Sequence, residues 1–230
     1  MDDKDKSRIQ ERLLSLYLRL NGFFVTGFIV HSPTHGRNGT EIDVLAVRFP
    51  NSIEPERQIK SDPLLDLSSD YIDLAICEVK SKRQALQFNS ALTSSSETIA
   101  SVLRWAGMFK EDEVLRLAPL IQSALVPQCL ALGGIPTVVG SNQVRVRGFI
   151  SSPERVNRRI NQPWFITGSD MFRFISQCLC PFVPRLTCAT TYDFGLWGEY
   201  EPIVRYIKQQ GEEGGTIEGL YAFADNGNLE

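Results

Sequence analysis

The run Tyr71-Ile72-Asp73-Leu74-Ala75-Ile76-Cys77-Glu78-Val79-Lys80 constrains this chain more than any other stretch. Its apolar body reads as a buried strand. Residues two apart in a strand point to the same face, so Glu78 and Lys80 stand side by side where it ends. An acid and an amine there are poor choices for packing. They are good choices for holding a cation and steering a water onto a phosphate. A second apolar strand, Ile42-Asp43-Val44-Leu45-Ala46-Val47, lies upstream with Asp43 at its start. Together Asp43, Glu78 and Lys80 point to metal-assisted hydrolysis of a phosphodiester.

With 230 residues the chain can bury one substantial core plus a small extension. No apolar run approaches the roughly 20 residues that span a bilayer, so no membrane association is expected. The start, Met1-Asp2-Asp3-Lys4-Asp5-Lys6, is too polar for a signal peptide. Five cysteines without a disulfide-like layout fit a reducing, cytoplasmic setting. Cys178, Cys180 and Cys188 lack the spacing of a zinc ribbon and read as ordinary thiols.

The net charge of -3 does not advertise a nucleic-acid binder until it is divided along the chain. From Glu199 to Glu230 seven acids oppose two bases, leaving that segment at -5 and the remainder at +2. Within the remainder Arg145, Arg147, Arg155, Arg158 and Arg159 face one acid, Glu154. Such a strip can hold phosphates, or it can simply solvate a surface.

The periodicity predicts a helix from about Ser7 to Leu20, with Ser7 and Gln10 at capping-box spacing and Asn21-Gly22 as its stop. Phe23 to Val30 reads as a strand, followed by a turn-rich loop over 32–39 and then the Asp43 strand. Pro50 to Ser69 is a polar insertion without an assigned structure. Beyond Lys80, helices are expected from Ser94 to Phe109 and from Glu111 to Val126, the second broken or kinked at Pro119. Strands over Val144–Ile150 and Pro163–Thr167, a helix over Asp170–Leu179, a helix over Trp197–Gln209 and a loose acidic tail complete the order. Leu220-Tyr221-Ala222-Phe223 is the part of that tail able to dock. The expected fold is an α/β sandwich around a mixed central sheet, with a core over 1–180 and a helical extension over 181–230.

Hydrolysing a phosphodiester requires a cation, an activated water and stabilisation of the leaving oxygen. Magnesium takes oxygen ligands and is typically held by one or two carboxylates plus waters, which Asp43 and Glu78 can supply. The Val79 carbonyl, pointing sideways from the strand, offers a third oxygen. Lys80 would orient the water or stabilise charge. This pattern resembles the PD-(D/E)XK nuclease superfamily, in its branch similar to archaeal Holliday-junction resolvases. Asp43 matches the first acid, and Glu78-Val79-Lys80 the second motif. Glu11 on the first helix matches the family's auxiliary glutamate, and Leu20-Asn21-Gly22-Phe23-Phe24-Val25 its helix-to-strand corner. Ile42 stands where the family's name places proline.

The resemblance implies a restriction-endonuclease-like fold and a DNA endonuclease using Mg²⁺, with Mn²⁺ able to substitute. It also implies Asp43, Glu78, Val79 and Glu11 at the metal. A homodimer would cut both strands, and protein partners in a repair or defence assembly would supply DNA affinity. Lys82, Arg83, Arg145 and Arg147 are the candidate nucleic-acid contacts. Glu41, on the same face by alternation, competes with Asp43, but it lies at the mouth of the apolar run. His31 and His35, separated by Pro33, cannot form a zinc-binding helical face. Two other readings remain open. A surface ion pair would give the same Glu-x-Lys letters, and a catalytically silent, nucleic-acid-binding or scaffold subunit could retain the same fold.

Overall fold

The computed structural model describes residues 1–31, 38–53, 57–181, 194–211 and 214–228. Helix α1 (Asp3–Leu20) starts a turn earlier than the periodicity indicates, because the Asp2 carboxylate caps it by accepting the Asp5 N–H at 2.8 Å. Ser7 is therefore inside the helix, free to donate to Glu11 Oε1 at 3.0 Å. The helix stops at Asn21-Gly22 as expected, with Gly22 at φ +91°, a conformation that costs glycine little. Its buried face carries Ile9, Leu13, Leu14, Leu16, Tyr17, Leu18 and Leu20.

Among the described residues six strands follow: β1 (Phe24–His31), β2 (Asn38–Arg48), β3 (Ile72–Val79), β4 (Thr137–Val139), β5 (Val144–Ser152) and β6 (Phe165–Thr167). They form one mixed sheet in the order β1-β2-β3-β5-β4, with β6 also paired to β5. The pairs β1–β2, β2–β3 and β4–β5 are antiparallel, whereas β3–β5 and β5–β6 are parallel. A parallel pair needs a crossover connection. Four helices supply it between β3 and β5: α2 (Ser90–Ser94), α3 (Ser96–Ala106), α4 (Glu111–Leu125) and α5 (Pro127–Leu130). Beyond β6 the described residues include the helices α6 (Gly168–Leu179), α7 (Glu201–Gln210) and α8 (Ile217–Phe223).

Two apolar layers sandwich the sheet. On one face α1, α6, α7 and α8 pack over Val44, Ala46, Ala75, Cys77 and Phe149. On the other, α3 and α4 pack over Ile42, Leu45, Leu74, Ile76 and Val146. β3 is thus buried on both faces, as its apolar run requires. Among the described residues no helix is long and apolar enough to cross a membrane.

The structure differs from the sequence expectations at several points. Helix α4 runs through Pro119 unbroken. The carbonyl deprived of its partner belongs to Leu115, an exposed residue, so water can replace the lost bond. The tail after Gly211 is not loose throughout. Ile217 and Leu220 of α8 are buried in the same apolar layer as α1, so the C-terminal helices complete that layer. The insertion is tied down as well. Arg57 donates to the Leu20 carbonyl at 2.7 Å, the Asp62 N–H to Asn21 Oδ1 at 2.8 Å, and Leu65 is fully buried.

The largest correction concerns Arg145 and Arg147, read from sequence as nucleic-acid contacts. Both are buried. Arg145 grips Asp73 through Nε (2.6 Å) and Nη2 (3.0 Å), and Arg147 Nη1 reaches the same carboxylate at 3.4 Å. Asp73 and Arg145 are direct cross-strand partners on β3 and β5. Alternation of valine and arginine in a strand covered on both faces places the arginines under a layer, where an acid must neutralise them.

Candidate active site

Asp43 and Glu78 lie 35 residues apart in sequence. The β2–β3 register, which pairs Val44 with Cys77, continues by one step to set Asp43 against Glu78. On the other side of β2 the ladder slips. Thr26 pairs with Leu45 but Phe28 with Ile42, so Gly27 alone opposes both Asp43 and Val44. This is a β-bulge, a device that re-aims a side chain. Its effect is visible in the packing. Ile42 and Leu45 both join the α3–α4 layer, while Val44 joins the α1 layer. The skipped beat turns Asp43 with Val44 toward α1, where Glu11 is.

Backbone bonds fix the end of β3. The Val79 N–H donates to Asp43 Oδ2 at 2.7 Å, and the Lys80 N–H to the Ser151 carbonyl at 2.7 Å. Lys80 Nζ lies 2.6 Å from Glu78 Oε1, the side-by-side placement expected of residues two apart. Glu78 is only 5% exposed, and its Oε2 is buried without a hydrogen-bond partner among the described residues. An orphaned carboxylate oxygen is costly unless something cationic or protic meets it.

The electrostatics agree with this crowding. Burial, then the Glu78 charge, pushes Asp43 up to about 7 against the opposing Val79 N–H; Glu11 adds to the rise. Burial also raises Glu78, opposed by Lys80 and the Asn89 backbone N–H. Glu11 is raised mainly by burial, with the Ser7 hydroxyl opposing and Glu41 adding. Three carboxylates that resist ionisation at one end of a sheet form the kind of cluster found at functional sites.

Among the described residues no three His, Cys, Asp or Glu side chains converge as a ready-made metal cage. The donor set fits a harder, more hydrated ion. Two carboxylates, a backbone carbonyl and retained waters could hold Mg²⁺, and Glu78 Oε2, without a hydrogen-bond partner among the described residues, is one oxygen available for it. Glu41, the competitor of Asp43, is exposed, whereas Asp43 is half-buried. Lys82 and Arg83 are exposed on the loop after β3. His35 and Cys188 lie outside the described residues.

Several contributors escaped the sequence reading. Ser151 on the neighbouring strand β5 accepts the Lys80 N–H, and Asn89 at the end of the loop after β3 faces Glu78; nothing in their neighbours marks them. Gly27 carried a signal, since glycine inside a strand pattern often marks a bulge. A cleft of about 540 Å³ opens beside the site between α1 and the loop after β3. It is lined by Lys6, Ser7, Gln10, Val79, Lys82 and Arg83, with Glu154 at its wall. Glu154 there accepts from Gln10 Nε2 (3.1 Å), the Tyr221 hydroxyl (3.2 Å) and the Lys82 N–H (3.0 Å). Comparison with known proteins gives no matching family model, no matching curated protein and no matching solved structure.

Proposed function

We propose that the protein is a metal-dependent nuclease of restriction-endonuclease-like fold that hydrolyses DNA phosphodiester bonds, acting as an endonuclease. One observation carries the reading. The bulged β2 and the end of β3 set Asp43, Glu78 and Lys80 together, with a buried carboxylate oxygen that has no hydrogen-bond partner among the described residues. The surface ion-pair alternative does not account for that, because Glu78 is buried and the pair sits among two further acids.

Asp43, Glu78 and the Val79 carbonyl would hold Mg²⁺ or Mn²⁺, which when bound supplies charge neutralisation and a more acidic water. The Val79 N–H fixes the Asp43 carboxylate. Glu78 holds the Lys80 ammonium in place before substrate arrives, so the amine can orient the attacking water and stabilise charge on the phosphate at little reorganisation cost. Glu11 is an auxiliary acid on the α1 side.

The test is incubation of purified protein with circular and linear DNA, with and without Mg²⁺ or Mn²⁺, beside Lys80→Ala. Cleavage by the parent that needs the metal and falls by roughly a thousandfold in the variant is the expected result. Full cleavage by Lys80→Ala rejects the assignment. The lack of a three-side-chain cage among the described residues favours one other reading, a silent nuclease-fold subunit that binds DNA without cutting it. Binding without cleavage in either metal would select that reading.

A further inference from the structure

β3 and β5 are parallel, so the loops that follow them, 80–89 and 153–164, leave the sheet at the same edge as Glu78. Ligands of open α/β sheets characteristically sit beyond the carboxyl ends of such strands. The two loops are fastened together: Arg155 Nη2 donates to the carbonyls of Lys82 (3.0 Å) and Gln84 (2.7 Å). The bridge joins the cleft beside the site to a second depression, lined by Leu86, Arg155, Asn157, Arg159, Gln162 and Trp164. Arg159 and Gln162 also line a third, with Arg158 and Asn161.

Two arginines along this path differ from the described arginines elsewhere. Arg8, Arg12, Arg104, Arg116, Arg145, Arg147, Arg158, Arg173 and Arg205 each meet a carboxylate. Arg19 stacks on Trp197 and Tyr200, while Arg48 and Arg57 donate to backbone carbonyls. Arg83 and Arg159 are exposed and have neither acid nor hydrogen-bond partner among the described residues. Lys82, also exposed, has no acid on its ammonium among the described residues. Two acids line the cleft: Glu154 is occupied by three donors of the fold itself, and Asp3 is exposed on α1. Among the described residues of a chain of net charge -3, the guanidinium groups without a partner thus lie along this path. Exposed apolar groups, Val156 and Ile160, stand among them.

We propose that this path is the substrate track. The DNA backbone would run from the cleft between α1 and loop 80–89, across the Arg155 bridge, onto loop 153–163. Lys82, Arg83, Arg155 and Arg159 would hold its phosphates. The proposal rests on the nuclease reading for the position of the scissile bond and replaces Arg145 and Arg147 as the basic surface. Phosphate contacts position a duplex without reading its sequence, so the track confers affinity and register.

The experiment measures binding of a fluorescent DNA duplex by anisotropy across a salt series, in the Lys80→Ala background so that cleavage cannot intervene. Arg83→Ala with Arg159→Ala removes two phosphate contacts and disturbs no internal bond. Affinity at 0.15 M salt should fall roughly 30-fold, and the slope of log K against log salt should shrink by about 1.8. Lys110→Ala, exposed at the start of α4, is the control and should change neither substantially. Unchanged affinity and slope in the double variant overturn the track, as does an equal loss from Lys110→Ala. No cleavage by the parent with Lys80 in either metal, while binding keeps its dependence on Arg83 and Arg159, rejects the hydrolytic reading alone. Cleavage by that parent while binding ignores both arginines rejects the track alone.

Discussion

Replacing Asp43 with asparagine should make the metal-free protein more stable at pH 8 while removing its activity. Asparagine keeps the shape and can still accept the Val79 N–H, but it carries no charge. Asp43 ordinarily titrates near 3.8 and is pushed up to about 7 in the fold. The folded state therefore binds the proton more tightly than the unfolded chain. Stability from this group is fully present below the unfolded value and is lost as pH rises through about 7. The difference is about 3 units, worth about 4 kcal/mol at most at 1.36 kcal/mol per unit. Relaxation and the shared charge of Glu78 and Glu11 reduce this to about 2–4 kcal/mol. For a domain this size that is a rise in Tm of roughly 5–15 °C. Calorimetry in chelator at pH 8 and at pH 4 tests it: the gain should appear at pH 8 and nearly vanish at pH 4. Mg²⁺ at 100 times its Kd should then stabilise the parent by about 2.7 kcal/mol and the variant far less. An asparagine variant no more stable than the parent at pH 8 would refute the crowded-carboxylate account.

Two further substitutions test the frame around the site. Asp73→Ala leaves Arg145 and Arg147 buried without their acid and should cost about 3–5 kcal/mol in denaturant unfolding; a loss under 1 kcal/mol would contradict the internal pairing. Gly168→Ala places a methyl group 1.9 Å from the Pro153 carbonyl oxygen, a backbone atom that cannot move alone. It should cost about 1–3 kcal/mol by overpacking and displace loop 153–163, so DNA affinity falls with stability. Unaltered unfolding would show that this contact is loose.

What the sequence disclosed followed local rules. The β3 run, the Asn21-Gly22 stop and the helix over Asp170–Leu179 are each set within a few residues, and each lies where periodicity or turn chemistry puts it. Glu78 and Lys80 were readable because strand alternation alone makes them neighbours. Asp43 was readable as a lone acid in an apolar run, but its direction was not. That depends on the slip opposite Gly27, a property of strand pairing. Arg145 and Arg147 misled for a related reason: their neutralising acid is Asp73, more than 70 residues away, and alternation cannot distinguish a face under helices from one under water. Pro119 was overestimated because the carbonyl it deprives lies on the exposed side of α4. The cleft wall, joining Gln10, Glu154 and Tyr221 from three separate segments, left no trace in local spacing.

A crystal of the protein soaked in Mn²⁺ and measured at the manganese absorption edge tests the central claim most directly. An anomalous peak is expected between the Asp43 and Glu78 carboxylates, with oxygen ligands at about 2.0–2.3 Å including Glu78 Oε2. No peak there at saturating metal, with Lys80 still the sole cation against Glu78, would contradict the account.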